Sequence, residues 1–159
     1  MSPIVKPLTL EHPAGIGSIE FGWNVDRFDH VIQLGQHRIV CQRAAADSAW
    51  PESPPLQQLS IEMIDGHEVA LGVGCAGTSH WSVSIEPMER GFRFDWACRV
   101  KEVPERLGTS YCQNSSVVFE PDDEHADVSS SDGLTRVVPR RPISDVGTYR
   151  WSYKVLSDL

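Results

Sequence analysis

The residues best suited to chemistry lie in the middle of the chain, at His80, Asp95 and Arg99. An imidazole, a carboxylate and a guanidinium can together bind a polar ligand, and a histidine beside a carboxylate can also act as a general base. Small hydroxyl side chains follow His80 at every second position, so they would share one face of a β-strand with it. We therefore expect a ligand-binding site on that face. The alternative is an enzyme for a small polar or carbohydrate substrate that uses His80 with Asp95 or Glu62.

A glycine-rich run, Gly72–Gly77, matches the pattern G-x-G-x-x-G of dinucleotide-binding proteins. That site requires a helix after the glycines, because the helix N-terminus holds the pyrophosphate. Here Thr78–Pro87 alternates like a strand, so the run does not predict a nucleotide. Gly72 and Gly74 are instead expected on the outer face of a strand, where a bare backbone lets another group approach. They join the candidate ligand-binding residues, and a second copy of the chain, forming a homodimer, is one possible partner.

The remaining combinations of reactive residues predict no catalytic residue, metal or cofactor. Glu62 and Glu68 are the best candidates for a carboxylate pair, which can share a proton or bind a cation. The acidic run Asp122–Asp127 lacks the spacing and the glycine of a calcium loop. The serine-hydrolase pattern G-x-S-x-G does not occur. We therefore favour a non-enzymatic ligand-binding or protein-interaction domain, whose partner is a small polar ligand such as a sugar or another copy of the chain.

The four cysteines, at positions 41, 75, 98 and 112, show no spacing typical of zinc sites. A chain of this length can bury a core without disulfides. We therefore expect four buried free thiols.

The elements that would position these residues are β-strands. Four runs between Leu56 and Lys101 alternate apolar and polar residues, which predicts an antiparallel sheet with one buried face. In the last two runs, pairing Ile85 with Phe94 matches the apolar faces and brings His80 opposite Arg99. This pairing leaves Met88–Gly91 as a four-residue loop.

The first two runs meet at the sequence Ile64-Asp65-Gly66. A three-residue loop there would pair Met63 with His67 and keep apolar residues on one face. In that arrangement Val69, Leu71 and Val73 point to the core, and Glu62 lies opposite Glu68.

Seven more strands are predicted from alternation and turn residues, at 16–23, 28–34, 37–42, 109–113, 117–120, 134–138 and 148–156. Polar stretches near 47–55 and 121–133 are expected to be surface loops. About ten short strands predict an all-β fold, a single-domain antiparallel β-sandwich over residues 1–159, with a closed β-barrel as the alternative.

Length and charge limit the classes of partner. The 159 residues carry 14 basic and 22 acidic side chains, a net charge of −8. Nucleic-acid binding needs clustered positive charge, so this class is disfavoured. The N-terminal sequence lacks a signal-peptide pattern, and no run approaches the ~20 apolar residues of a membrane-spanning helix. These observations predict a soluble, acidic, cytoplasmic protein without a membrane partner.

Overall fold

The computed structural model describes residues 5–41, 50–51, 53–114 and 116–157. These residues form thirteen β-strands and no helix. The strands are β1 (Leu8–Glu11), β2 (Gly17–Asn24), β3 (Arg27–Leu34), β4 (His37–Val40), β5 (Gln58–Ile64), β6 (His67–Ala76), β7 (Ser79–Met88), β8 (Gly91–Val100), β9 (Thr109–Cys112), β10 (Val117–Pro121), β11 (Ala126–Ser131), β12 (Leu134–Pro139) and β13 (Gly147–Ser157).

The strands build three sheets in which every pairing is antiparallel. A four-stranded sheet has the order β1-β2-β3-β4, a six-stranded sheet β10-β13-β8-β7-β6-β5, and a three-stranded sheet β11-β12-β9. None of the three closes on itself within the described residues. The predicted all-β antiparallel sandwich is therefore confirmed, and the barrel alternative is wrong. Among the described residues there is also no helix long and apolar enough to span a membrane.

The core is a single hydrophobic cluster to which all three sheets contribute. Alternation explains which residues enter it, since successive side chains of a strand point to opposite faces. The six-stranded sheet contributes three buried tryptophans. Trp96 and Trp151 stack with ring centroids 6.2 Å apart, and Trp81 meets Trp151 edge-on at 5.9 Å.

A chain of buried hydrogen bonds runs through this core and joins the three sheets. The indole of Trp96 donates to the hydroxyl of Tyr153 (3.0 Å), which lies 2.5 Å from the hydroxyl of Tyr111, which lies 2.8 Å from Nε2 of His30. An indole N–H can only donate, so Tyr153 accepts from Trp96, and each hydroxyl further along the chain can donate or accept. Burial lowers the pKa of His30 to about 4, so the ring is neutral and able to accept this bond.

Two expected surface loops differ from the structure. Within 121–133, Ala126–Ser131 is strand β11, which pairs with β12 across a two-residue turn at Asp132 and Gly133, both with positive φ. The strand ends in three successive serines, so its sequence shows no clear alternation of apolar and polar residues. Of the stretch 47–55, positions 47–49 and 52 lie outside the described residues.

The described part of the stretch 47–55 is largely buried. Ser53, Pro54 and Pro55 are buried. The Ser53 hydroxyl donates to the carbonyl of Ser110 and accepts from its N–H. Proline has no N–H to satisfy, so these residues can be covered at little cost in lost hydrogen bonds.

Candidate functional site: the outer face of the six-stranded sheet

The candidate site lies on the surface of the six-stranded sheet that points away from the core, here called the outer face. The registers of β5, β6, β7, β8 and β13 define it. Its residues in the middle of the sheet are Gln58, Ser60, Leu71, Val73, Cys75, His80, Ser82, Ser84, Asp95, Ala97, Arg99, Thr148, Arg150 and Ser152.

The β7–β8 hairpin follows the register predicted from the sequence. Ile85 pairs with Phe94 on the core side, and His80 pairs with Arg99 on the outer face. The pairing continues to Met88 and Gly91, so the turn has two residues, and the predicted four-residue loop is wrong in its extent. This hairpin supplies three of the predicted site residues.

The β5–β6 hairpin differs from the prediction. Met63 pairs with Glu68, and a two-residue turn at Asp65 and Gly66, with φ of 51° and 85°, replaces the expected three-residue loop. An Asp-Gly pair favours this turn because its backbone twist matches that of the strands. Glu62 now lies opposite Val69, and Glu62 and Glu68 occupy opposite faces of the sheet. The carboxylate pair expected from the sequence does not form.

The two glycines of the predicted site point to the core, which corrects their expected position. Gly72 pairs with Val83 and Gly74 with Trp81, whose side chains are buried. A Cβ on Gly74 would collide with the carbonyl oxygen of Pro55, and one on Gly72 would crowd Leu56, Leu59 and Val83. The group that approaches the bare backbone is therefore the segment leading into β5 rather than a ligand or a partner.

The inward glycines turn apolar residues outward on the same strand. Leu71 and Val73, expected in the core, lie on the outer face with exposed fractions of 38% and 46%. Their cross-strand neighbours are Ser84 and Ser82. The outer face therefore combines apolar and hydroxyl side chains at its centre.

Two adjoining depressions of about 620 and 540 Å³ occupy this face, and we call them together the groove. They share Gln58, Val73, Ser82 and Ala97. The side chains at the centre are short, whereas long ones such as Arg150 stand at the rim, which makes the surface concave. A concave surface with apolar and polar lining is the usual form of a small-molecule site.

Asp95 is held by neighbouring side chains of the sheet. Its carboxylate accepts a hydrogen bond of 2.5 Å from the Ser152 hydroxyl and forms an ion pair of 3.2 Å with Nε of Arg93. Charge-assisted bonds of this kind fix the side chain in place. Asp95 therefore forms a polar edge of the groove whose charge is already compensated.

The structure brings His80 and Arg99 together but separates His80 from both carboxylates of the enzyme hypothesis. Asp95 lies opposite Ser84, four residues along β7 from His80. At about 3.3 Å per residue this separation is about 13 Å along the strand. Glu62 lies opposite Val69, six residues along β6 from Cys75, the partner of His80. General-base catalysis by a directly hydrogen-bonded pair requires about 3 Å.

Sequence reasoning missed Arg150 as a site residue. It lies opposite Ala97, diagonally adjacent to Arg99, which lies opposite Thr148. Alternation in β13 places Arg150 on the polar side of its strand, and this is visible in the sequence. The sequence does not show that β13 pairs with β8, because these strands are separated by four others along the chain.

The four cysteines are free, as expected, but two of them are exposed rather than buried. Burial raises the pKa of both Cys41 and Cys98 to about 12, so their thiols stay protonated. Cys75 and Cys112 are exposed. Cys75 lies at the groove, opposite His80.

The acidic run Asp122–Asp127 consists of a turn and the first two residues of β11, and Asp122 is held by hydrogen bonds within the run. Asp122 accepts hydrogen bonds from the backbone N–H of Glu124 and from the ring of His125. These bonds lower the pKa of the Asp122 carboxyl. In the described part of the chain, no three His, Cys, Asp or Glu side chains are grouped as metal ligands would be.

The fold and the groove define an antiparallel β-sandwich with a shallow polar and apolar depression on its largest sheet. No protein-family model, curated protein or solved structure matches the chain.

Proposed function

We propose that this protein is a non-enzymatic binding domain that takes a small polar ligand in the groove of the six-stranded sheet. The observation that carries the proposal is the groove itself, a concave surface with short side chains at its centre and polar ones at its rim. If this part of the sheet only faced water, its side chains would not need to be short on three neighbouring strands. Ser82 and Ala97 lie side by side in this way.

The lining supports binding rather than catalysis. Gln58 and His80 supply hydrogen-bonding groups at the rim, and Val73 supplies apolar contact at the centre. A few polar groups around an apolar patch fix the orientation of a ligand and give specificity. The separation of His80 from Asp95 removes the pair on which the enzyme hypothesis depends.

The test is a nuclear magnetic resonance titration with a panel of monosaccharides and small carboxylates, amides and amines. We expect at least one compound to shift the backbone amide signals of β6, β7 and β8 at millimolar concentration. The variant Ser82→Trp, which fills the centre of the groove, is expected to abolish these shifts without lowering Tm, because Ser82 is exposed.

The matched control is Ser129→Trp, which makes the same change at an exposed position of β11 on another sheet. It is expected to leave the titration unchanged. Shifts confined to residues outside the groove, or no shift with any compound, would refute the proposal. Equal loss in both variants would refute the placement of the site.

A homodimer through the same face is the second candidate. The exposed side chains of Leu71 and Val73 favour it, since adjacent apolar side chains on a sheet gain from being covered. Sedimentation velocity is expected to show a dimer that Val73→Arg converts to monomer. Gly72→Arg is unsuitable because that position faces the core. A monomeric wild-type protein at 100-fold the working concentration would exclude this candidate.

A cytoplasmic location completes the proposal. Its support is the state of the cysteines, since four free thiols, two of them exposed, suit a reducing compartment. Fractionation of cells that express the protein at its natural level would test it, and recovery outside the cytoplasm would overturn it.

A further inference from the structure

We infer that the groove binds small organic anions, with the acidic group held between Arg99 and Arg150 and the apolar part lying on Val73. This inference rests on the proposed function and names the chemical class of the ligand.

The first argument is the clustering of basic side chains at one end of the groove. His80, Arg99 and Arg150 lie on three neighbouring strands, β7, β8 and β13. His80 is directly opposite Arg99, and Arg150 is diagonal to it, so their Cβ atoms lie about 5 and 7–8 Å from that of Arg99. The guanidinium charges of Arg99 and Arg150 repel each other at such distances, and an anion between them removes the repulsion.

The second argument is the absence of an acidic partner for this cluster within the described residues. Neither Arg99 nor Arg150 forms an ion pair there, and both are exposed. Their outer-face neighbours Thr148 and Ala97 are uncharged. The nearest carboxylate, that of Asp95, is occupied by Arg93 and Ser152, as described above.

The third argument is the contrast with the rest of the protein. The chain has a net charge of −8. On the same sheet face, His67 lies 3.9 Å from Glu86, and Lys154 lies 3.9 Å from Glu120. Among the described residues, Arg99 and Arg150 have no such acidic partner, so this end of the groove carries two uncompensated guanidinium groups.

The chemistry of arginine identifies the ligand class. A guanidinium presents a planar set of N–H donors that matches the two oxygens of a carboxylate or phosphate. The exposed apolar surface of Val73 lies between Gln58 and Ser82 in the same register row as Arg150. A ligand with an acidic head and a short apolar body would contact both parts of this row.

The test uses three probes of similar size and different charge, hexanoate, hexanamide and hexylammonium, and inorganic phosphate as an anion without an apolar part. Calorimetric or magnetic resonance titration is expected to show hexanoate binding at least ~10-fold more tightly than hexanamide, and hexylammonium not binding. Binding of hexanoate should weaken as salt rises from 50 to 500 mM, because exposed charges are screened. Phosphate binding as tight as hexanoate binding would show that the apolar surface contributes nothing and would overturn that part of the inference.

Three variants locate the charge effect. Arg99→Gln and Arg150→Gln are each expected to weaken hexanoate binding ~10-fold or more, whereas Arg90→Gln, an exposed arginine in the β7–β8 turn, changes nothing. Because Arg99 and Arg150 are exposed and form no ion pair with any described residue, their variants are expected to keep the Tm of the wild type. A loss of binding in Arg90→Gln equal to that in the others would refute a specific site.

Cysteine alkylation supplies a second readout that does not depend on affinity measurement. Bound hexanoate is expected to slow the reaction of Cys75 with iodoacetamide and leave that of Cys112, exposed on another sheet, unchanged. If hexanamide binds and protects Cys75 as well as hexanoate does, the inference about charge fails and the proposed groove stands. If no probe of any charge binds or protects Cys75, the inference about charge is refuted, and the titration with monosaccharides then decides whether the proposed groove stands.

Discussion

The buried hydrogen-bond chain makes the stability of this protein depend on the protonation of one histidine. His30 is buried at 3% exposure among aromatic rings and shares a hydrogen bond of 2.8 Å with the Tyr111 hydroxyl through Nε2. A protonated ring would place a buried charge there, which is costly in an apolar environment. Acidification is therefore expected to destabilise the folded state through this residue.

The size of this loss of stability follows from the pKa values of His30 in the unfolded and the folded state. The pKa of His30 falls from 6.5 to about 4 on folding. Because the unfolded chain binds the proton more readily, stability is complete above pH 6.5 and is lost as the pH falls from there toward 4. At about 1.4 kcal/mol per pKa unit, the loss between pH 7.5 and pH 4.5 is about 2.5 kcal/mol.

The assay is urea unfolding followed by the fluorescence of the three buried tryptophans, at pH values from 7.5 to 4.5. The control is His30→Phe, which keeps an aromatic ring at this position and removes the titratable group. It is expected to cost about 1 kcal/mol at pH 7.5, because the Tyr111 hydroxyl loses a hydrogen-bond partner. Subtracting its pH profile from that of the wild type removes the contribution of carboxylates common to both proteins.

The refuting result is specific. If the wild type and His30→Phe lose the same free energy of unfolding between pH 7.5 and 4.5, folding does not lower the pKa of His30 and the reasoning is refuted. A difference of the opposite sign would show that the protonated ring is stabilised by a carboxylate in the folded state.

Three further predictions concern the core and the cysteines. Gly74→Ala is expected to lower Tm strongly because its Cβ meets a backbone carbonyl, whereas Gly22→Ala, with open space around it, leaves Tm within a few degrees. Equal Tm values for the two variants would contradict the described path of the segment before β5. Tyr153→Phe is expected to cost about 1–3 kcal/mol in urea unfolding, because an indole N–H loses its buried acceptor, and no loss would contradict the hydrogen-bond chain. Iodoacetamide is expected to label Cys75 and Cys112 in the native protein and all four cysteines after denaturation, as mass spectrometry would show; labelling of a third thiol in the folded state would contradict the described burial.

The β7–β8 hairpin shows what the sequence could predict. In β7, polar residues alternate with Trp81, Val83 and Ile85. The next strand carries large aromatic residues, so only one register places the apolar side chains of both strands on the buried face. The same reasoning assigned the wrong face of β6 to the core, because Leu71 and Val73 are more apolar than the glycines next to them. The decisive fact is tertiary, since the segment around Pro55 and Leu56 fills the space above the glycines.

The candidate site likewise contains residues that local pairing places and one that distant pairing places. His80, Asp95 and Arg99 reach one face through a local hairpin, so their common face could be predicted. Arg150 reaches it through pairing of β13 with β8, a contact between distant parts of the chain that periodicity cannot reveal. The charge cluster on which the anion inference depends was therefore outside the reach of sequence analysis.

The position of β13 has a consequence for how the protein folds. This strand, the last of the described strands, lies between β10 and β8 in the six-stranded sheet, and its Trp151 and Tyr153 form hydrogen bonds to β9 of the three-stranded sheet. During synthesis the ribosome releases β13 after all the strands that it must join. The earlier strands therefore expose their unpaired edges until residues 147–157 emerge, and contacts between distant residues of this kind make folding slow. The core is therefore completed late in folding, when β13 joins the strands that were synthesised before it.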